Sequence, residues 1–491
     1  MTDSALSKSA RGSAYNIGVS MVTVVLGFIR SVLLMRLLNP DDYGVVSLAL
    51  FFVAFVTPFS VLGIDNALIQ KKDPHEGDFS THFSIRLGLS VLLLFMGILV
   101  APLLRMIYAD QVIVVDVLLV LLVINIIQAS YSTPGIVVRR EMRFGAIAVL
   151  NLSASVAMTF VAPLFAFLGA GLWSLVAEQA ASQVVRWIGF WVVLHPWRPS
   201  LRFLKEKAKS LIQFGSGVLS SNLLGIALDR FDDFWTGTYL GSTALGYYSR
   251  AYDMATYPQR ILATPLTNVF FPTYAAVQDD KETLSKAFFR SSSFLVRVGF
   301  LFSVILMATA PEITLILFGE KWLPIVPIFR LMLVYIILNP LYANLSYLIM
   351  GVGRPGILAR VRLVQVIIFV FMVILFAYLW GTEGVAIAAN FMMLVGTVTL
   401  FVVSFRFVSY SLARMFKWPI IAALFSGAVG LGLMTITPGL GLWAGLILIT
   451  AAITASYGLI LYLTERDILH EYGSHFLKPM WNRVRRKDKK Y

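Results

Sequence analysis

The sequence predicts an all-α integral membrane protein. It would have about fourteen transmembrane helices, arranged as two parallel-repeat six-helix bundles plus a C-terminal helix pair, with both termini in the cytoplasm. Three observations predict this. Hydrophobic residues fill 58% of the 491 positions and charged residues only 13%, with a mean hydropathy of +0.80; a soluble domain carries about 25% charged residues. Apolar stretches of roughly 20 residues, the length that crosses the hydrocarbon, recur along the whole chain. Basic residues gather in every second connection between them.

The stretches are 12–38, 43–69, 81–107, 112–137, 146–168, 172–194, 211–239, 243–277, 288–318, 323–350, 357–380, 385–407, 419–436 and 440–463. The first is too long for a signal-peptide core and lacks a small-residue cleavage pattern after it, so it reads as a retained helix. With the N-terminus inside, the inner loops carry Lys71 and Lys72, then Arg139, Arg140 and Arg143, then Arg198, Arg202, Lys205, Lys207 and Lys209. Further along they carry Lys281 and Lys286, Arg354, Arg414 and Lys417, and the basic tail. The outer connections carry almost none, which is the positive-inside pattern. The net charge of +14 therefore belongs to membrane faces and to anionic head groups rather than to nucleic acid.

An internal repeat follows from the same register. LNPDDYGVVSLA at 38–49 resembles LGSTALGYYSRA at 240–251, and GAGLWSL at 169–175 echoes GTEGVAI at 381–387. Each match joins the same two positions of a six-helix block. Because six is even, both blocks run in the same sense about an axis along the membrane normal. The expected divisions are a bundle at 1–195, a cytoplasmic linker at 196–210, a second bundle at 211–410, a terminal pair at 411–464 and a basic tail at 465–491.

The residues offer no enzyme chemistry. There is no cysteine, the five histidines have no metal-ligand spacing, and no Gly-rich phosphate loop with a lysine is present. We expect no catalytic residues, no metal and no cofactor. What remains is charge inside the membrane, which costs about 2.5–3.5 kcal/mol per ionised residue and commonly marks a cavity. Arg30, Arg260 and Arg297 lie well inside their segments, and Arg250 lies one turn from Asp253. The acids Asp65, Asp229 and Asp253 are candidates for the cavity or for ion coupling. Arg86, Asp116, Asp232, Asp233, Glu312 and Arg330 fall near segment ends, where snorkelling accounts for them. Glu178 and Arg186 are two turns apart on one segment and read as structural.

The eighth segment carries Pro258, Pro265 and Pro272 at seven-residue spacing, on nearly one face. Each removes a backbone hydrogen bond, so this segment is the expected hinge. Most aromatic residues sit at segment ends as interfacial anchors; Tyr247, Tyr248 and Tyr252 are candidates for stacking on a sugar.

The stretch LGSTALGYYSRAY at 240–252 resembles a hallmark of the polysaccharide transporter family, the Wzx-type flippases of lipid-linked oligosaccharides. These belong to the multidrug/oligosaccharidyl-lipid/polysaccharide exporter superfamily. ALIQKKD at 67–73, VRREMRF at 138–144 and FGEKWLPIVP at 318–327 support the resemblance, in order along the chain. It looks most like the branch serving exopolysaccharides such as colanic and teichuronic acids. The resemblance implies two six-helix bundles around a cavity that opens alternately to each side. It implies an undecaprenyl-diphosphate oligosaccharide repeat unit as substrate, flipped to the outer leaflet of the bacterial inner membrane for exopolysaccharide, capsule or O-antigen assembly. It also implies work alongside a polysaccharide polymerase and a chain-length regulator. Family cavities are lined by the first, second, seventh and eighth helices, which here carry Arg30, Asp65, Asp229, Arg250, Asp253 and Arg260. A proton or sodium gradient is open as the coupling source.

Two other readings compete. A drug or ion antiporter of the same superfamily would favour acidic cavity residues, against the arginine excess. A membrane polysaccharide polymerase would need a large external loop, and the connections are short.

Overall fold

In a computed structural model the described residues, 3–258, 260, 264–436, 439 and 441–468, form helices and short connections, with no strand among them. The α-helices are α1 (Asp3–Leu37), α2 (Pro40–Val61), α3 (Ile64–Gln70), α4 (Glu76–Ile107), α5 (Ile113–Arg140), α6 (Phe144–Phe167), α7 (Trp173–Ile188) and α8 (Lys205–Trp235). They continue with α9 (Ser242–Pro258), α10 (Thr264–Ala276), α11 (Lys281–Leu317), α12 (Ile325–Gly351), α13 (Pro355–Ser404), α14 (Leu412–Met434) and α15 (Leu442–Thr464). α7 and α8 run on into π-helical turns at Gly189–Leu194 and Thr236–Leu240. The chain is a multi-pass membrane protein: among the described residues, 10 helices are long and apolar enough to cross a bilayer. Large apolar side chains such as Phe95, Leu99, Phe160 and Leu424 face outward, as a surface solvated by lipid requires.

Three of the helices outside that set are α7, α8 and α9. α7 and α9 are short and carry Glu178, Arg186, Arg250 and Asp253, while α8 ends in Asp229, Arg230, Asp232 and Asp233. Their polarity is that of helices facing a cavity or one another rather than lipid.

The second expected segment divides. It forms α2 and α3, separated where Leu62 and Gly63 take left-handed backbone (φ 45° and 65°). Pro58 lies one turn earlier, and its carbonyl accepts the Leu62 amide at 2.7 Å. A Cβ on Gly215 of α8 would strike the Leu62 carbonyl, so α8 packs directly on this break. Conversely, the eleventh and twelfth segments form one run, α13. Its backbone leaves helical geometry at Trp380 and at Gly381 (φ 56°), a conformation that glycine adopts without strain.

The chain groups into two compact units. The first comprises 1–261, 317–328 and 359–392; the second comprises 262–316, 329–358 and 393–491. In the first, α2 lies along α9, α1 packs on α6, α6 on α7, and α4 on α5. Leu48, Val117, Leu245 and Tyr248 are fully buried there. In the second, α14 packs on α15, and Ile449 and Ile453 bury against Ala308 of α11. Tyr274 bonds Asn344 at 2.8 Å, and Asn344 bonds Ser291 and Ser292 at 3.0 and 2.9 Å.

Candidate functional site

The first unit contains a cavity of about 380 Å³ lined by α1, α2, α7, α9 and Arg260. Arg30 enters from α1, Tyr43 from α2, Glu178 from α7, and Arg250, Asp253 and Tyr257 from α9. Arg30 and Glu178 form an ion pair at 3.1 Å between Nε and Oε1, each side chain mostly buried. Asp253 stands between two cations: Oδ2 meets Arg250 at 2.7 Å and Oδ1 meets Arg260 at 3.2 Å. The Arg250 guanidinium also lies over the Tyr43 ring, 4.6 Å from its centroid, and Arg260 lies 5.5 Å from that of Tyr257. Three donors remain unused. Arg30 Nη1 and Arg250 Nε are buried without a hydrogen-bond partner, as is the Tyr43 hydroxyl. Buried donors are nearly always satisfied, so these mark a place for an acceptor.

Beside the cavity, contacts tie α1, α2, α9 and the loop before α12 together. Ser47 and Ser249 hydroxyls lie 3.5 Å apart across α2 and α9. Asp41 accepts hydrogen bonds from the Ser242 and Thr243 hydroxyls. Trp322 is fully buried, its ring edge-on to Tyr43 and Tyr247, and its indole N–H donates to the Met35 carbonyl at 2.6 Å. Lys321 donates to the carbonyls of Leu38 and Arg36 at 2.6 and 3.0 Å, the ends of α1 that have no intrahelical partner.

The structure thus brings together Arg30, Arg250, Asp253 and Arg260. Glu178 joins them, although its neighbours in sequence suggest only a local structural role. Arg297 lies elsewhere, in the second unit, where Nε and Nη2 make a bidentate pair with Glu465 at 3.0 and 2.7 Å. Asp65, on α3, is held by His82 at 3.0 Å and Arg86 at 3.2 Å and does not line the cavity. Arg86 itself is buried and bonds Ser60 and Ser132, so snorkelling does not account for it. Asp232 and Asp233 are buried too, on the Tyr248 hydroxyl and on Arg230. Asp229 is exposed on α8. Pro258 closes α9 two residues before Arg260, and Pro272 is exposed within α10. The side chain of Pro265 lies outside the described residues, as do residues 469–491 of the basic tail.

A multi-helix membrane chain with a charged cavity among its helices has the architecture of a transporter. The chain belongs to the polysaccharide biosynthesis protein family, whose model matches residues 33–327. It is 21% identical over 400 residues to the lipopolysaccharide biosynthesis protein WzxC of Escherichia coli K12, covering 81% of each chain. It is 27% identical over 358 residues to the succinoglycan biosynthesis transport protein ExoT of Rhizobium meliloti, covering 71% of each. Among solved structures it shares its fold with the lipid II flippase MurJ, at TM-score 0.76 and 13% identity, over 92% of this chain and 98% of that one. An inward-facing multidrug resistance MATE family transporter aligns at TM-score 0.60 and 16% identity, over 80% and 97%.

Proposed function

We propose that the protein is a flippase that moves undecaprenyl-diphosphate-linked oligosaccharide repeat units from the cytoplasmic to the outer leaflet by alternating access. The observation that carries this reading is the convergence of Arg30, Arg250 and Arg260 on one cavity, with buried guanidinium donors left over. Guanidinium forks suit phosphate oxygens. A diphosphate and its sugars cannot cross hydrocarbon, and a cationic recess can carry the head while the polyprenyl tail stays in lipid. The cavity of about 380 Å³ sits at the lower end of ligand pockets, about 300–1,000 Å³. It suits a diphosphate and its first sugar rather than a whole repeat unit. The relatives support the substrate class: ExoT is named for succinoglycan transport and MurJ for flipping lipid II.

The same proposal extends to topology, hinge and partners. It includes fourteen spans with both termini cytoplasmic, the two six-helix blocks, a bend at Pro258, Pro265 and Pro272, and residence in the inner membrane beside a polymerase and a chain-length regulator. The test is flipping of a lipid-linked oligosaccharide in reconstituted vesicles. Arg30→Ala, Arg250→Ala and Arg260→Ala should each cut the rate roughly 10- to 100-fold, the worth of a hydrogen bond to a charged group. Wild-type rates in all three, with the proteins folded, would remove the reading.

A further inference from the structure

The cavity is positive, but only by one charge. Three guanidinium groups face two carboxylates, and every carboxylate already sits on an arginine: Glu178 on Arg30, Asp253 between Arg250 and Arg260. The diphosphate head group of the proposed substrate is a diester with two fixed negative charges. Admitting it with both carboxylates ionised would leave one negative charge in excess. At membrane depth a lone charge costs about 2.5–3.5 kcal/mol. It would also set phosphoryl oxygens against the carboxylates that occupy the best donors. One proton removes both obstacles. It makes the loaded cavity neutral, and it turns a competing acceptor into a group able to donate to the phosphate.

We infer that Glu178 and Asp253 are exchangeable counter-ions, and that binding of a diphosphate-linked lipid takes up one proton from water onto one of them. This rests on the flippase reading and says how that site is loaded. An O–H bond forms on the carboxylate, the proton comes from solvent, and the freed guanidinium bonds a phosphoryl oxygen in the carboxylate's place. Nothing is oxidised or reduced, and the proton leaves again when the substrate does. Glu178 on α7 is faced by Arg30 from α1, by Tyr43 from α2, and by Arg250 and Asp253 from α9. Asp253 is faced by Arg250, Arg260 and Tyr257, by Tyr43 from α2 and Glu178 from α7, and at longer range by the Arg230–Asp233 pair of α8. That α8 pair is closed at 3.0 Å, so it adds no net charge to the balance.

The experiment is calorimetric titration of the purified full chain with citronellyl diphospho-N-acetylglucosamine, a diester that does not itself titrate near neutrality. It is run at about pH 7 in two buffers of different ionisation heat, since the difference in heats counts the protons exchanged. The wild type should take up about one proton per ligand, and its affinity should weaken about tenfold per pH unit as that proton is withheld. At least one of Glu178→Gln and Asp253→Asn should bind with uptake near zero and with affinity that no longer follows pH. Wild-type binding without proton uptake, or uptake unchanged in both variants, overturns the inference and leaves the flippase reading standing. No binding to the wild type removes both. Should a variant fail to fold, the pH dependence of wild-type affinity decides alone: a flat profile overturns the inference.

Discussion

Gly44 and Gly246 make the same contact in opposite directions. A Cβ on Gly44 would collide with the carbonyl of Ser242, and a Cβ on Gly246 would collide with the carbonyl of Pro40. The offset of 202 residues that relates Ser47 to Ser249 also relates Gly44 to Gly246 and Pro40 to Ser242. The pairs are therefore the repeat-equivalent positions of the sequence, meeting each other as the two sides of a two-fold interface do. Backbone approaches backbone here because neither helix has a side chain at the crossing.

Alanine at either glycine should therefore cost about the same, roughly 1–3 kcal/mol for forcing a methyl into a packed contact. The measurement is thermal unfolding of Gly44→Ala and Gly246→Ala in detergent. The symmetry of the contact predicts similar losses for the two. A wild-type melting temperature for either would show that the crossing is looser than the contact implies.

The repeat was legible because its signature is local: a glycine, then a serine three residues later, at the start of two apolar segments. Arg30, Arg250, Arg260 and Asp253 were legible for a similar reason, as charges standing in apolar or aromatic surroundings. What was hidden is pairing across the chain. Glu178 has Arg186 two turns along its own helix, and nothing local shows that its partner is Arg30 of α1. Arg297 looked like a cavity charge because its partner, Glu465, is 168 residues away in what reads as the start of a polar tail. The turn at Gly381 inside α13 was marked by its glycine; that the helix resumes at once was not.

A pH-dependent contribution sits at the start of α11. Asp280 lies outside the spans, where its carboxylate accepts the Glu282 and Thr283 amides and the Thr283 hydroxyl. The Thr283 hydroxyl above all, with these amides, holds the carboxyl below its ordinary range. The stabilisation is therefore present above the unfolded value, about 3.9, and is lost as pH falls through the lower folded value. Asp280→Ala should melt below the wild type near neutrality, and the difference should vanish in acid. A difference that persists below both values would assign the effect to something other than this cap.

The Trp322 contact should couple stability to closure of the cavity. Its burial and its bond to the Met35 carbonyl make Trp322→Ala worth about 3–5 kcal/mol. Trp322→Phe keeps the ring but leaves that carbonyl unpaired, at about 1–3 kcal/mol. The chain has no cysteine, so a single cysteine at Ser47 reports access without background. Its labelling by a water-soluble maleimide should rise in Trp322→Ala and change less in Trp322→Phe. Equal labelling in all three would mean that this aromatic cluster does not close the cavity end.

Arg297 should behave unlike the cavity arginines although it is as deep in its helix. Its side chain is 5% exposed and that of Glu465 3%. The pair is bidentate, with Arg297 donating also to the Ser293 carbonyl at 2.7 Å. Removing one partner strands a buried charge, which costs about 3–5 kcal/mol, whereas removing both can be nearly neutral. Arg297→Met and Glu465→Leu should each lower the melting temperature and the yield, and the double variant should recover most of both. The fraction that folds should bind a diphosphate lipid with wild-type affinity. Arg30→Met should instead weaken binding in the fraction that folds, because Arg30 lines the cavity and its Nη1 donor is left for an acceptor there. Weakened binding in folded Arg297→Met would place that arginine in the transport pathway after all.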